Sequence, residues 1–334
     1  MPNWREIISR GDKISKKLEK LSGKTLVVTM EIPWGKLRKI SLFEPTRLIY
    51  ANQMEIQFLN EIVETLDNFD WVIGIGGGVA CDMAKFISWK KEIPLILLPT
   101  VISVDAPFTA SIAIRENDVV KYVGSVVPNE IIIDYNIISQ APPELNRAGV
   151  ADILSIHTAL WDWRLSSEKT GERYDSKIAE EAKKCLDFVE ENAEEIRKVS
   201  SKGIDVIVDM YCREVDLCTE FGNSRPEEGS EHIVAYCAEY LTKEQFLHGN
   251  IVAFGIFCMS RLQENFPDWI TGLMDRVGLD FSAGNLTNDK IRKILLSLKE
   301  FKDQSDLFYS VIDEKIIDEN FVSNILKELN RYER

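Results

Sequence analysis

Trp71-Val72-Ile73-Gly74-Ile75-Gly76-Gly77-Gly78-Val79-Ala80-Cys81-Asp82-Met83-Ala84-Lys85 reads as a short apolar strand, a glycine cluster and the first turns of a helix. Residues without side chains let a backbone approach a pyrophosphate closely. The helix N-terminus adds exposed N–H groups and a partial positive charge. A ligand-free reading, in which the glycines only make a tight strand-to-helix turn, competes with this. Strand, glycines and helix in succession favour the nucleotide loop. It is not GxGxxG, because Val79 stands where the third glycine would be, and several strands precede it. The expectation is a dinucleotide held by a variant of the usual fold.

Outward from this stretch, Thr25–Thr29, Arg47–Tyr50 and Pro94–Leu98 are further short apolar runs, with helical spacing over Met54–Leu66 between them. Near-continuous apolar strands separated by helices predict a parallel sheet covered on both faces. Ala110–Arg115 and Val119–Val126 alternate around Glu116-Asn117-Asp118, which predicts a β-hairpin. The pattern changes at Pro142-Pro143-Glu144. Beyond it come amphipathic helices: Ser176–Val199, with Ile178, Ala182, Cys185, Phe188, Val189 and Ala193 on one side, then roughly 204–220, 230–242 and 248–263. The expected fold is an α/β Rossmann-like N-terminal domain over 1–145 and an all-helical domain over 146–334.

The length of 334 residues suits two domains. A net charge of −14 argues against nucleic acid or an anionic membrane as partner, so an anionic substrate needs a local positive site. Six cysteines at irregular spacing read as reduced thiols of a cytoplasmic protein. The apolar runs fall short of the roughly 18–20 residues of a membrane span.

A second loop, Pro99–Thr109, follows the next strand, and ligands of open α/β sheets lie beyond the carboxyl ends of strands. Thr100, Ser103 and Thr109 suit hydrogen bonds to a ribose or an amide; an ordinary Asp/Ser/Pro turn cluster fits as well. The chain has three histidines. His232, in Gly229-Ser230-Glu231-His232, and His248, in Leu247-His248-Gly249, both stand at expected helix starts, and Asp152 is the natural third ligand. Two imidazoles and one carboxylate suit Zn²⁺, with Ni²⁺ or Fe²⁺ as alternatives, and leave a coordination position open for Lewis-acid chemistry. Isolated histidines are more often structural, and His157, off the helical face of Asp152 among apolar neighbours, reads that way.

Together these segments resemble the sn-glycerol-1-phosphate dehydrogenases, within the superfamily of metal-dependent alcohol dehydrogenases, glycerol dehydrogenase and 3-dehydroquinate synthase. The matching stretches are Gly74–Lys85, Pro99–Asp105, Arg147–Asp152, Asn223-Ser224-Arg225-Pro226 with Gly229–His232, and Leu247-His248-Gly249. The resemblance implies a dehydroquinate synthase-like fold, with NAD or NADP on Gly76, Gly77, Gly78, Val79, Ala80, Thr100, Val101, Ile102, Ser103 and Thr109. It implies Asp105 as a substrate contact, Asp152, His232 and His248 as zinc ligands, and a homodimer or larger assembly. The implied reaction is hydride transfer to the C2 carbon of dihydroxyacetone phosphate, giving sn-glycerol 1-phosphate.

The chain departs from the family at three points. Tyr236 stands where the family has a substrate-contacting histidine, Asn250 replaces a glutamate after His-Gly, and Ala106 follows Asp105 instead of glycine. Tyr236 joins Asp105 and Asp152 as a candidate catalytic residue. A glycerol dehydrogenase-like enzyme, a 3-dehydroquinate synthase-like cyclase and an inactive relative stay open as alternatives. Ala51-Asn52-Gln53, after the Arg47–Tyr50 run, carries no acid to select a free ribose 2′-hydroxyl, so NADP stays open beside NAD.

Overall fold

The computed structural model describes residues 4–117, 119–282, 284 and 286–332. Its chain divides into two units, Met1–Asn146 and Arg147–Arg334. The first holds β1 (Ile8–Gly11), β2 (Thr25–Thr29), β3 (Arg47–Tyr50), β4 (Trp71–Gly76), β5 (Leu95–Pro99), β6 (Ser111–Glu116), β7 (Val119–Ser125) and β8 (Glu130–Asp134). Six of these form one sheet in the order β1-β8-β5-β4-β2-β3, every pair parallel.

The central strands are buried on both faces, which is why they read as unbroken apolar runs. Val27, Ile73, Ile75, Ile96, Leu98 and Ile132 form one face and pack with Leu18, Leu37 and Phe43. The Gly78–Lys91 helix packs against β4 and β5. Gly74 lets it approach: a Cβ there would come within 2.8 Å of the Ala84 Cβ.

The sequence reading missed β1 and β8. Ile8-Ser9-Arg10-Gly11 is a half-exposed edge strand with no apolar alternation to betray it. Ile131-Ile132-Ile133 is fully apolar but short, and its pairing with β1 and β5 is what makes it a strand. The helix expected over Met54–Leu66 is confined to Ile56–Glu64. At its start, Met54 O accepts a hydrogen bond from Arg115 N, so that backbone serves the hairpin instead. The hairpin is present as β6 and β7, antiparallel, with Asp118 of its turn outside the described residues.

The second unit is helical among the described residues. Its main elements are Val150–Thr170, Ser176–Glu191, Ser201–Phe221, Ser230–Thr242, His248–Gln263, Pro267–Val277, Asn288–Asp303 and Glu319–Leu329. Asp175, Ser200, Thr287 and Asp318 cap four of them by accepting backbone N–H bonds. The helix expected over Ser176–Val199 is broken at Asn192, where a second piece, Ala193–Lys198, begins. Phe188, placed on its buried side by spacing, is 40% exposed. His248–Gln263 is buried over nearly its whole length and packs against Val150–Thr170 and Ser230–Thr242. No helix among the described residues is long and apolar enough to cross a membrane.

Candidate functional site

The three helices that pack together in the second unit carry the three expected metal ligands. Asp152 lies in the first turn of Val150–Thr170, His232 in the first turn of Ser230–Thr242, and His248 opens His248–Gln263. One ligand atom from each falls within 4.8 Å of the others. His248 Nε2 is 3.3 Å from Asp152 Oδ1, and the two imidazole centroids are 5.5 Å apart. Apart from His248, buried Asp152 Oδ1 has no hydrogen-bond partner among the described residues.

Glu231, wholly buried, fixes the imidazole of His232. Its Oε1 accepts the Gly229 N–H at 2.6 Å and faces His232 Nδ1 at 2.9 Å, while Oε2 accepts Thr158 Oγ1–H at 2.5 Å. With the carboxylate as acceptor throughout, His232 donates from Nδ1, and Nε2 is the nitrogen left to meet a ligand.

Electrostatics favour a cation here. Burial disfavours the charged form of His232, but the Glu231 hydrogen bond and the charges of Glu228, Glu231 and Asp152 outweigh it, pushing its pKa up to about 10. His248 is also raised: burial opposes, while the charge and hydrogen bond of Asp152 prevail. A buried carboxylate oxygen that faces only another candidate ligand, an imidazole nitrogen turned from Glu231 and a local excess of negative charge fit a divalent metal.

Close backbone approach makes this geometry. A Cβ on Gly249 would lie 1.8 Å from Ala148 O, and one on Gly255 would lie 2.3 Å from Glu231 O. Only glycine lets the His248 helix come this near. Ser224-Arg225-Pro226 serves the scaffold: Arg225 is fully buried, its Nε and Nη2 hydrogen-bond Glu172, and Nη2 also donates to Tyr309 O at 2.9 Å. His157 is placed structurally, with Nε2 2.7 Å from Asn265 O and its ring against Trp269.

Tyr236 stands one turn beyond His232, ring centroids 6.0 Å apart, and its hydroxyl donates to Glu228 Oε1 at 2.7 Å. Asn250 Nδ2 is 3.3 Å from Asp280 Oδ2.

In the first unit, the glycine stretch joins β4 to the Gly78–Lys91 helix. Gly77 is the N-cap and supplies no side-chain hydrogen bond, so the first N–H groups stay open to a ligand. Sheet order explains why this loop comes so late. The chain runs from β2 outward to β3, then returns to β4 and continues through β5, so β2 and β4 flank the point where the order reverses. The Pro99–Thr109 loop lies beside it: Thr100 N donates to Gly76 O at 3.0 Å, and Cβ atoms on Gly77 and Gly78 would meet Val101 and Val104. Asp105 starts the short turn Ala106–Phe108.

Four supporting residues escaped the sequence reading. Glu231 stands next to His232, and adjacent helical residues do not share a face, so spacing could not flag it. Asn146 holds the second loop by accepting Ile102 N–H and donating to Ile138 O, both at 3.0 Å. Lys85, fully buried, pairs with Asp82 at 2.7 Å and donates to Ala106 O and Ser111 O, tying the second loop to the Gly78–Lys91 helix. Glu228 lies between Pro226 and Gly229, in a loop whose spacing carries no signal for it.

Among solved structures, the chain is similar to a probable glycerol dehydrogenase from Sinorhizobium meliloti, with 15% identity, a TM-score of 0.70 and coverage of 97% of this chain and 96% of that one. The fold is that of the iron-containing alcohol dehydrogenases, and the model of the family "Iron-containing alcohol dehydrogenase" matches residues 36–142. By sequence it is 30% identical to "Glycerol-1-phosphate dehydrogenase [NAD(P)+]" of Thermococcus sibiricus over 72% of this chain and 68% of the relative. The protein of that name from Hyperthermus butylicus is 31% identical, over 71% and 68%. The chain belongs to the glycerol-1-phosphate dehydrogenase family and is an oxidoreductase.

Proposed function

We propose that the protein is a metal-dependent, NAD(P)-linked dehydrogenase that reduces dihydroxyacetone phosphate to sn-glycerol 1-phosphate in the cytoplasm, as a homo-oligomer. The observation that carries this reading is the Asp152–His232–His248 cluster, with ligand atoms within 4.8 Å, in a chain whose relatives bear that enzyme name. Asp152, His232 and His248 would hold Zn²⁺, or Ni²⁺ or Fe²⁺, which supplies Lewis-acid polarisation of the ketone. Gly76, Gly77, Gly78, Val79 and Ala80, with Thr100, Val101, Ile102, Ser103 and Thr109, would hold NAD(P), the source of hydride. What the chain's own residues contribute is positioning. Glu231 keeps the His232 proton on Nδ1, Lys85 and Asn146 hold the second loop, and Asp105 contacts the substrate.

The test is loss of reduced-nicotinamide absorbance with dihydroxyacetone phosphate after loading with each metal. Turnover that is abolished in His232→Ala together with stoichiometric metal supports the reading. Turnover of unphosphorylated glycerol alone moves the assignment to a glycerol dehydrogenase-like activity.

A further inference from the structure

The second unit carries an acid beside the metal ligands that the proposed reaction does not use. Glu228 is half-buried, just before the Ser230–Thr242 helix, and both its oxygens are held. Oε1 accepts the Tyr236 hydroxyl at 2.7 Å, and Oε2 accepts the Ser224 hydroxyl at 2.6 Å. The Tyr236 ring lies against that of His232, and the charge of Glu228 is felt at His232. A carboxylate has about four acceptor positions, and these two hydroxyls fill only two. The remainder suits an O–H donor. It repels a phosphate.

We propose that Glu228, positioned by Tyr236 and Ser224, binds the hydroxyl on the carbon next to the reacting carbonyl. The site thereby takes an α-hydroxy ketone with its hydroxymethyl end on Glu228 and any phosphate at the opposite end. This rests on the ketone-reductase reading above and adds to it a residue that sets which end of the substrate faces which way.

The experiment compares dihydroxyacetone phosphate with the analogue bearing a methyl in place of the hydroxymethyl. Kinetics and calorimetric binding to Zn²⁺-loaded protein are measured for wild type, Glu228→Ala, Glu228→Gln and Tyr236→Phe. Sites built around a substrate hydroxyl reject analogues lacking it strongly, so wild type should prefer the hydroxylated ketone at least ~100-fold. Glu228→Ala should cut that preference below about tenfold, and Tyr236→Phe should reduce it in part. Equal metal content across variants keeps a folding defect from imitating this result. A preference that survives unchanged in Glu228→Ala, or none in wild type, overturns the proposal. If neither ketone turns over, the reductase reading fails, and the calorimetric preference still decides: hydroxyl-dependent binding lost in Glu228→Ala supports the role of Glu228, while equal or absent binding removes it.

Discussion

Glu231 Oε1 lies 2.9 Å from His232 Nδ1, so a wholly buried acid orients the candidate metal ligand beside it in the chain. Glu231→Gln keeps the shape and removes the charge. Losing the carboxylate that holds a metal-binding imidazole in place costs about 10–100-fold in metal affinity. Competition calorimetry with a chelator should show that drop, with the metal still bound one per chain.

Metal removal should soften the second unit. A ligand present at a thousandfold its Kd stabilises by about 4 kcal/mol. Stripping with a chelator should therefore lower Tm, and Zn²⁺ should restore it. The variant carrying His232→Ala and His248→Ala should show no metal-dependent change in Tm.

Gly249→Ala would place a Cβ 1.8 Å from Ala148 O, against backbone that cannot rotate away. Overpacking of this kind costs about 1–3 kcal/mol, and the helix must shift to relieve it. Since His248 is the preceding residue, metal affinity should fall with Tm. Gly272→Ala, in an exposed helix interior where nothing lies within 4 Å of a Cβ, should leave metal affinity unchanged and raise Tm slightly.

Lys85→Met strands Asp82 in the first unit, where burial already raises its carboxyl despite the charge of Lys85. Breaking a buried pair on one side costs about 3–5 kcal/mol, whereas replacing both partners can be near neutral. Urea unfolding should show Lys85→Met well below wild type and Lys85→Met with Asp82→Leu recovering much of the difference.

Asp162 gives the pH dependence. Burial, aided by the charge of Glu231, overcomes its hydrogen bonds from Ser230 and Val311 and raises its pKa from 3.8 to about 7. Between these values the native state binds more protons than the unfolded chain, so this contribution is complete below about pH 4 and fades as pH rises through 7. Asp162→Asn should abolish that part of the slope in a urea-midpoint series. An unchanged slope would assign it to other groups.

The sequence was a good guide where structure is local. Apolar runs marked β2, β4 and β5 because a strand buried on both faces needs apolar residues throughout, and the edge strand β3 through its short Leu48-Ile49-Tyr50 run. The His232 and His248 helices begin where polar and glycine punctuation says they should. Local pattern was silent where an element depends on partners. Half-exposed β1 and short β8 are strands only through pairing, and Asn192 broke a helix that periodicity had run to Val199.

By itself, then, the sequence determined the α/β and helical halves, the glycine loop and the identity of three ligand-type side chains. Only tertiary structure decided that Asp152, His232 and His248 meet, because three helices bring them together through approaches that Gly249 and Gly255 permit. It alone decided that β4 stands at the reversal of strand order, which is a property of pairing and not of position in the chain. It also put Glu228 under the hydroxyl of Tyr236. Residues eight apart in sequence become partners there because a loop turns into a helix between them, and no periodicity encodes that contact.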